Sequence, residues 1–175
     1  MSNYNDLVLD GTKSYTDQKM ATDNFLGDPF LYDTYVIDRL RKEYHKYQRL
    51  IIAVDFDGTV HDYHKEGFVF PKLIALVKLA KELGCYIYIF TAHPDEEYVA
   101  SYLRENDIPF DGINKAPEMD AKFNPAKPFY SILLDDRAGL YSAYRNLDYV
   151  LQEIKNRMQC KGNNTCSSDH TMVAL

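Results

Sequence analysis

Residues 1–30 are polar, are interrupted by Gly11, Gly27 and Pro29, and hold no sustained period, so they read as an arm. From Leu31 to Tyr47 the apolar positions Leu31, Tyr35, Val36, Leu40, Tyr44 and Tyr47 recur at three- and four-residue intervals, with Asp38, Arg39, Arg41 and Lys42 between them. That spacing predicts an amphipathic helix. Leu50 to Val54 is then apolar at every position, the pattern of a strand covered on both faces in a parallel sheet. Pro71 favours a helix start, Leu73, Ile74, Leu76, Val77, Leu79, Ala80 and Leu83 form its inner face, and Gly84 stops it. Cys85 to Phe90 reads as a second strand, Pro94 to Asn106 as a helix with acidic residues in its first turn, and Phe110 to Asn114 as a short third strand. Phe129 to Leu134 is the predicted fourth strand, and Leu140 to Met158 the last helix. Strand and helix alternate, which predicts an α/β fold: a Rossmann-like parallel sheet with helices on both faces and an extra helix at the N-terminus.

The organisation expected is an arm and helix over 1–47, a catalytic core over 48–157 and a polar tail over 158–175. With 175 residues, 46% of them hydrophobic and 26% charged, the chain can bury one ordinary core. A net charge of −6 disfavours a protein whose main task is to coat nucleic acid or an anionic membrane. No run is long enough for a membrane span and the first residues lack a signal-peptide pattern, so a cytoplasmic protein is expected. Cys85 lies in an apolar run, and Cys160, Cys166 and His170 lie in the polar tail without an obvious fourth ligand. Neither a disulfide framework nor a zinc site is expected. Asn163 fits a glycosylation pattern that has no meaning without secretion.

Candidate chemistry collects at the strand ends, where open parallel sheets bind ligands. The first strand ends in Asp55 and Asp57, the second in Thr91, the third in Asn114 and Lys115, the fourth in Asp135 and Asp136. Four carboxylates on one edge repel one another unless a cation joins them, and an all-oxygen set suits a hard ion such as Mg²⁺. Residues two apart in extended chain share a face, so Asp55 and Asp57 can address one substrate, with Gly58 turning the chain just after them. One carboxylate as nucleophile and one as proton donor are the parts of a stepwise phosphoryl transfer. Thr91 can donate to a phosphoryl oxygen and Lys115 can offset charge. Taken singly, Thr91 reads as well as a helix cap and Lys115 as a solvated side chain. His61, His64 and His93 lie near the same edge, within reach of a substrate, although exposed loop histidines are common.

Asp55-Phe56-Asp57-Gly58-Thr59-Val60 resembles the first motif of the haloacid dehalogenase (HAD) superfamily, Thr91 its second and Asp135-Asp136 its fourth, over roughly residues 49–157. The resemblance implies Asp55 as nucleophile, Asp57 as general acid and base, and Mg²⁺ held by the Asp55 carboxylate, the Asp57 backbone carbonyl and Asp135 or Asp136. It also implies a lysine of the third motif, for which Lys115, Lys122 and Lys127 are candidates. Lys127 precedes the fourth strand and so falls roughly 20 Å or more from Asp135 at about 3.3 Å per residue. Lys115 is preferred over Lys122, which needs its segment to fold back. Because dehalogenase members lack the second aspartate, Asp57 points to a phosphatase. Asp135-Asp136-Arg137 also looks like small capless members, including phosphatases of nucleic-acid end repair.

His61 to Phe70 is too short a stretch for a cap domain, and the third strand leads directly to Lys115. The site should therefore be open, which in relatives goes with large substrates or with a neighbouring subunit as lid; a homo-oligomer is left open. The expected activity is Mg²⁺-dependent phosphomonoester hydrolysis through an aspartyl-phosphate on Asp55, with a nucleotide or other small phosphoester as substrate. A nucleic-acid end-processing phosphatase is less favoured, since no basic stripe accompanies the site. A phosphotransferase and a non-catalytic binding or assembly module are the remaining alternatives, the latter opposed by the intact Asp55 and Asp57 pair.

Overall fold

A computed structural model of the protein describes residues 29–117 and 127–162. A 3-10 turn at Pro29–Leu31 leads into α1 (Asp33–Tyr47), β1 (Ile51–Val54), α2 (Pro71–Glu82), β2 (Tyr86–Ile89), α3 (Glu96–Glu105), β3 (Gly112–Ile113), β4 (Ile132–Leu134) and α4 (Leu140–Gly162). The four strands form one parallel sheet in the order β3-β2-β1-β4. The chain thus builds outward from β1 through β2 to β3, then returns to place β4 on the other side of β1. The reversal makes the carboxyl ends of β1 and β4 the switch point of the sheet, the place where such folds leave a crevice.

The two faces of β1 separate by alternation. Ile52 and Val54 join Ile87, Ile89, Ile132 and Leu134 in the main core, which α2, α3 and α4 cover with Leu76, Leu103 and Leu151 among others. Ile51 and Ala53 point the other way, with the buried Tyr88, against Ala116, Phe129 and Tyr130. Helices on both faces are the sequence expectation; among the described residues the helices lie on the first face. The described ends of the β3-to-β4 connection, with Ala116, Phe129 and Tyr130, pack on the other face, the side to which a right-handed crossover running against the direction of the others leads. Burial pushes the Tyr88 phenol up to about 12, and its hydroxyl donates to the Phe129 carbonyl at 3.4 Å. On the first face burial likewise pushes the Cys85 thiol up to about 11, which makes it an unreactive core side chain.

The element ends follow local chemistry. Pro71 occupies the first turn of α2, and Gly84, at φ +79°, takes the left-handed turn beyond its end. The helix expected from Pro94 begins at Glu96 because the Asp95 carboxylate caps it, accepting from the Tyr98 amide at 2.9 Å. β3 is shorter than the predicted Phe110–Asn114. Asp111 closes it on one side by taking the Ile87 amide on its carboxylate at 2.8 Å, and Asn114 closes it on the other with a left-handed φ of 50°. β4 begins at Ile132 because Ser131 Oγ accepts the Ile51 amide in place of a carbonyl, at 3.0 Å. α4 runs past Met158 to Gly162, beyond the last buried position at Ile154.

The N-terminal helix α1 belongs to the same core, with Ile37 and Leu40 in the main cluster. It lies along α4, where Arg41 pairs with Glu153 at 2.7 Å and Asp33 accepts from the buried Asn146 at 3.0 Å. Among the described residues no helix is long and apolar enough to cross a membrane. Leu40 is fully buried, so Leu40→Ala should lower the unfolding free energy by about 2–5 kcal/mol, read from urea titration. A loss no larger than that of an exposed-site substitution would mean that α1 is not part of the folding unit.

Candidate functional site

The site begins where β1 ends. The Asp55 amide still donates to the Leu134 carbonyl, at 2.8 Å, so the β1–β4 ladder runs up to the first acidic residue. Phe56 turns into the core, fully buried, and leaves Asp55 and Asp57 on the opposite side. The chain then closes a tight loop in which the Val60 and His61 amides both donate to the Phe56 carbonyl, at 3.0 and 2.9 Å. Gly58 sits in it at φ +80°, and a Cβ there would come within 2.9 Å of Asp136 Oδ2. Glycine is required twice over, for its backbone angle and for the room it leaves a carboxylate.

Asp55, Asp135 and Asp136 each offer an oxygen within 4.8 Å of the others. Thr59 holds this group together. Its fully buried hydroxyl donates to Asp55 Oδ2 at 3.1 Å and accepts the Asp136 amide at 3.1 Å, fastening the loop after β1 to the loop after β4. Asp135 is set by its own turn, with Oδ1 accepting the Arg137 amide at 2.8 Å. Burial pushes the Asp55 carboxyl up to about 6; the Phe56 amide and Thr59 hydroxyl oppose the rise, and the Asp135 and Asp136 charges add to it. Three oxygen donors whose charges oppose one another in a half-buried setting fit a hard divalent cation, which would relieve that repulsion.

The other expected residues fall around this group at different distances. Asp57 does not enter the three-carboxylate group with its side chain; its Oδ1 lies 2.8 Å from His61 Nδ1. Thr91 follows β2, its Oγ1 accepting the His93 amide at 3.0 Å while its own amide donates to Asn114 Oδ1 at 2.9 Å. The hydroxyl proton stays available to a ligand. Lys115 leaves the edge strand exposed, with its carbonyl accepting from the Tyr86 hydroxyl at 3.3 Å. Its backbone is two strands from β1, roughly 10 Å across the sheet at about 4.8 Å per strand. Lys127 enters β4 from the opposite end, and Lys122, Cys166, His170 and Asn163 lie outside the described residues.

Two arrangements were not legible in the sequence. Thr59 is one, since a threonine after glycine gives no sign of bridging two loops. The other is a ring cluster: His61 stacks on Phe56 at 4.5 Å, meets the edge of Tyr102 at 4.7 Å, and places Nε2 3.1 Å from the Tyr98 hydroxyl. His93 stacks on Tyr98 at 5.2 Å, while His64 is exposed beside Tyr63. The loop that follows is folded over the Asp62 carboxylate, which accepts the Glu66, Gly67 and Phe68 amides. It presents Phe68 and Val69 to solvent and holds no inserted domain.

No family model matches the chain, and no curated protein matches it. Among solved structures, it is similar to a conserved protein from Bacteroides thetaiotaomicron at 22% identity and a TM-score of 0.47, over 62% of this chain and 92% of that one. It is also similar to a target protein from Vibrio cholerae at 22% identity and a TM-score of 0.35, over 64% of this chain and 98% of that one. No function is transferred from either.

The raised Asp55 value has a signed consequence. In protein freed of divalent ions, folded Asp55 keeps its proton up to about 6, whereas in the unfolded chain it gives it up near 3.8. Stability therefore falls as pH rises through that window and stays lowered above it. Asp55→Asn should raise the melting temperature relative to wild type well above the window and lose that advantage well below it, with chelator present throughout. A difference independent of pH would contradict the assignment.

Proposed function

We propose that the protein is a Mg²⁺-dependent phosphomonoester hydrolase of the haloacid dehalogenase type, acting through an aspartyl-phosphate on Asp55. The observation that carries this reading is the division of labour among the aspartates at the switch point. Three carboxylates each offer an oxygen within 4.8 Å of the others, an arrangement suited to a cation, and the side chain of a fourth, Asp57, is kept apart beside a histidine. A site that only bound a cation would have no use for the separate one. Asp55, Asp135 and Asp136, with the Asp57 backbone carbonyl, would hold the ion, which when bound compensates the charge of the phosphoryl group and of Asp55.

The chain's own groups account for the proton and bond changes. Asp55 attacks phosphorus, the bond from phosphorus to the ester oxygen breaks, and Asp57 gives that oxygen its proton. Asp57, now a carboxylate, takes a proton from water whose oxygen attacks phosphorus, which releases inorganic phosphate and restores Asp55. Thr91 is assigned to a phosphoryl oxygen and Lys115 to the residual charge. The net charge of −6 speaks against long nucleic acid and leaves a nucleotide or other small phosphoester as the favoured substrate.

Asp55→Asn should abolish Mg²⁺-dependent phosphate release, because an amide is a poor nucleophile and the cation loses a charged ligand. Asp57→Asn should be nearly as severe on an alkyl phosphate and much milder on an aryl phosphate, whose leaving group scarcely needs a proton. Steady-state rates on the two substrates decide it. Near wild-type turnover by Asp55→Asn, or equal losses for Asp57→Asn on both substrates, would overturn the mechanism.

A further inference from the structure

We propose that His61 is a positioning residue for Asp57, one that fixes which carboxylate oxygen carries the catalytic proton. This rests on the phosphatase reading of the site. The imidazole has almost no freedom. Its backbone is tied back to Phe56 and Gly58, with its amide donating to the Phe56 carbonyl at 2.9 Å and its carbonyl accepting from Gly58 at 2.8 Å. One ring face lies on Phe56, with planes 11° apart, and Tyr102 meets the ring edge-on. The two nitrogens are engaged at opposite ends, Nδ1 with Asp57 Oδ1 at 2.8 Å and Nε2 with the Tyr98 hydroxyl at 3.1 Å.

The positioning role calls for the tautomer in which Nδ1 carries the hydrogen and donates to Asp57 Oδ1 while Nε2 accepts from the Tyr98 hydroxyl; the distances alone fit either direction. The assignment holds for both forms of Asp57. As a carboxylate it accepts at Oδ1; protonated at Oδ2 it accepts at Oδ1 still, now as a carbonyl oxygen. Oδ2 is thereby the oxygen that gives the proton to the leaving group and takes one from water, and neither half-reaction requires the ring to turn. The same bond keeps the Asp57 side chain out of the group formed by Asp55, Asp135 and Asp136, where it would be lost to the cation. Positioning of this kind contributes by holding reacting groups at the right distance, and small displacements are costly.

The test compares His61→Phe, which keeps the stacked ring without its nitrogens, with His61→Asn, which restores a short N–H donor. His61→Phe should lower kcat on an alkyl phosphate by about 10- to 100-fold, lower it far less on an aryl phosphate, and leave KM unchanged. His61→Asn should recover part of the loss. Tyr98→Phe, which removes a half-exposed hydroxyl, should show the same substrate selectivity at smaller size. Equal losses on both substrates, or none, would overturn the proposal. Ring ¹⁵N chemical shifts give a second reading that needs no turnover: His61 should be the Nδ1–H tautomer in the wild-type protein and should cease to be held there in Asp57→Ala. A wild-type protein that releases no phosphate from either ester would overturn the proposed function, and the tautomer would still decide the place of His61. The Nε2–H form in wild type would overturn the positioning claim alone.

Discussion

Burial of the Asp55 carboxylate beside the charges of Asp135 and Asp136 is the constraint around which this end of the sheet is arranged. Three carboxylates brought within 4.8 Å of one another, one of them half-buried, oppose folding wherever all are ionised. The fold nevertheless brings them together by several independent devices. Parallel pairing of β1 with β4 aligns the two strand ends, Gly58 leaves room for Asp136, and the buried Thr59 hydroxyl joins one loop to the other. Because β1 is the strand at which the sheet reverses, these devices act where the loops on either side diverge and a ligand can enter.

The separation of Asp57 from that group follows from the same loop. Asp55 and Asp57 share a face as alternate residues, yet the return of the chain at Gly58 sets His61 beside Asp57 and leaves Asp55 to Thr59. Two aspartates two residues apart thus occupy different environments. Burial and like charges act on one, and the His61 ring lies against the other. Such divergence is how paired carboxylates acquire distinct roles in acid and base chemistry.

Much of this was legible in the chain because the strands are buried on both faces. Leu50 to Val54 and Cys85 to Phe90 carry apolar residues without alternation, so their existence, their parallel pairing and the residues that end them, Asp55 and Asp57 on one and Thr91 on the other, could be read directly. The short strands were less legible. Asp111 and Ser131 give side-chain oxygens to backbone amides of the neighbouring strands, which shortens β3 and β4 in a way that hydrophobic pattern does not register. The extent of α4 beyond its buried face escaped for a related reason, since periodicity ends where burial ends. In the site, strand ends put four carboxylates, Asp55, Asp57, Asp135 and Asp136, on one edge, and the structure brings the side chains of Asp55, Asp135 and Asp136 together while Asp57 pairs with His61. Thr59 and His61 act through contacts whose meaning depends on how the loop closes, and a lone loop histidine looks the same in sequence whether it faces solvent or Asp57.

The central claim is that Asp55 is the atom-transferring residue of this site, and trapping the covalent intermediate tests it most directly. Protein turning over an aryl phosphate with Mg²⁺ would be acid-quenched and reduced with borohydride, which converts an aspartyl-phosphate, an activated acyl group, to homoserine and leaves free carboxylates intact. Peptide mass spectrometry should then find homoserine at position 55, dependent on both substrate and Mg²⁺. Phosphate release without any conversion at Asp55, or conversion at Asp57, Asp135 or Asp136 instead, would contradict the account.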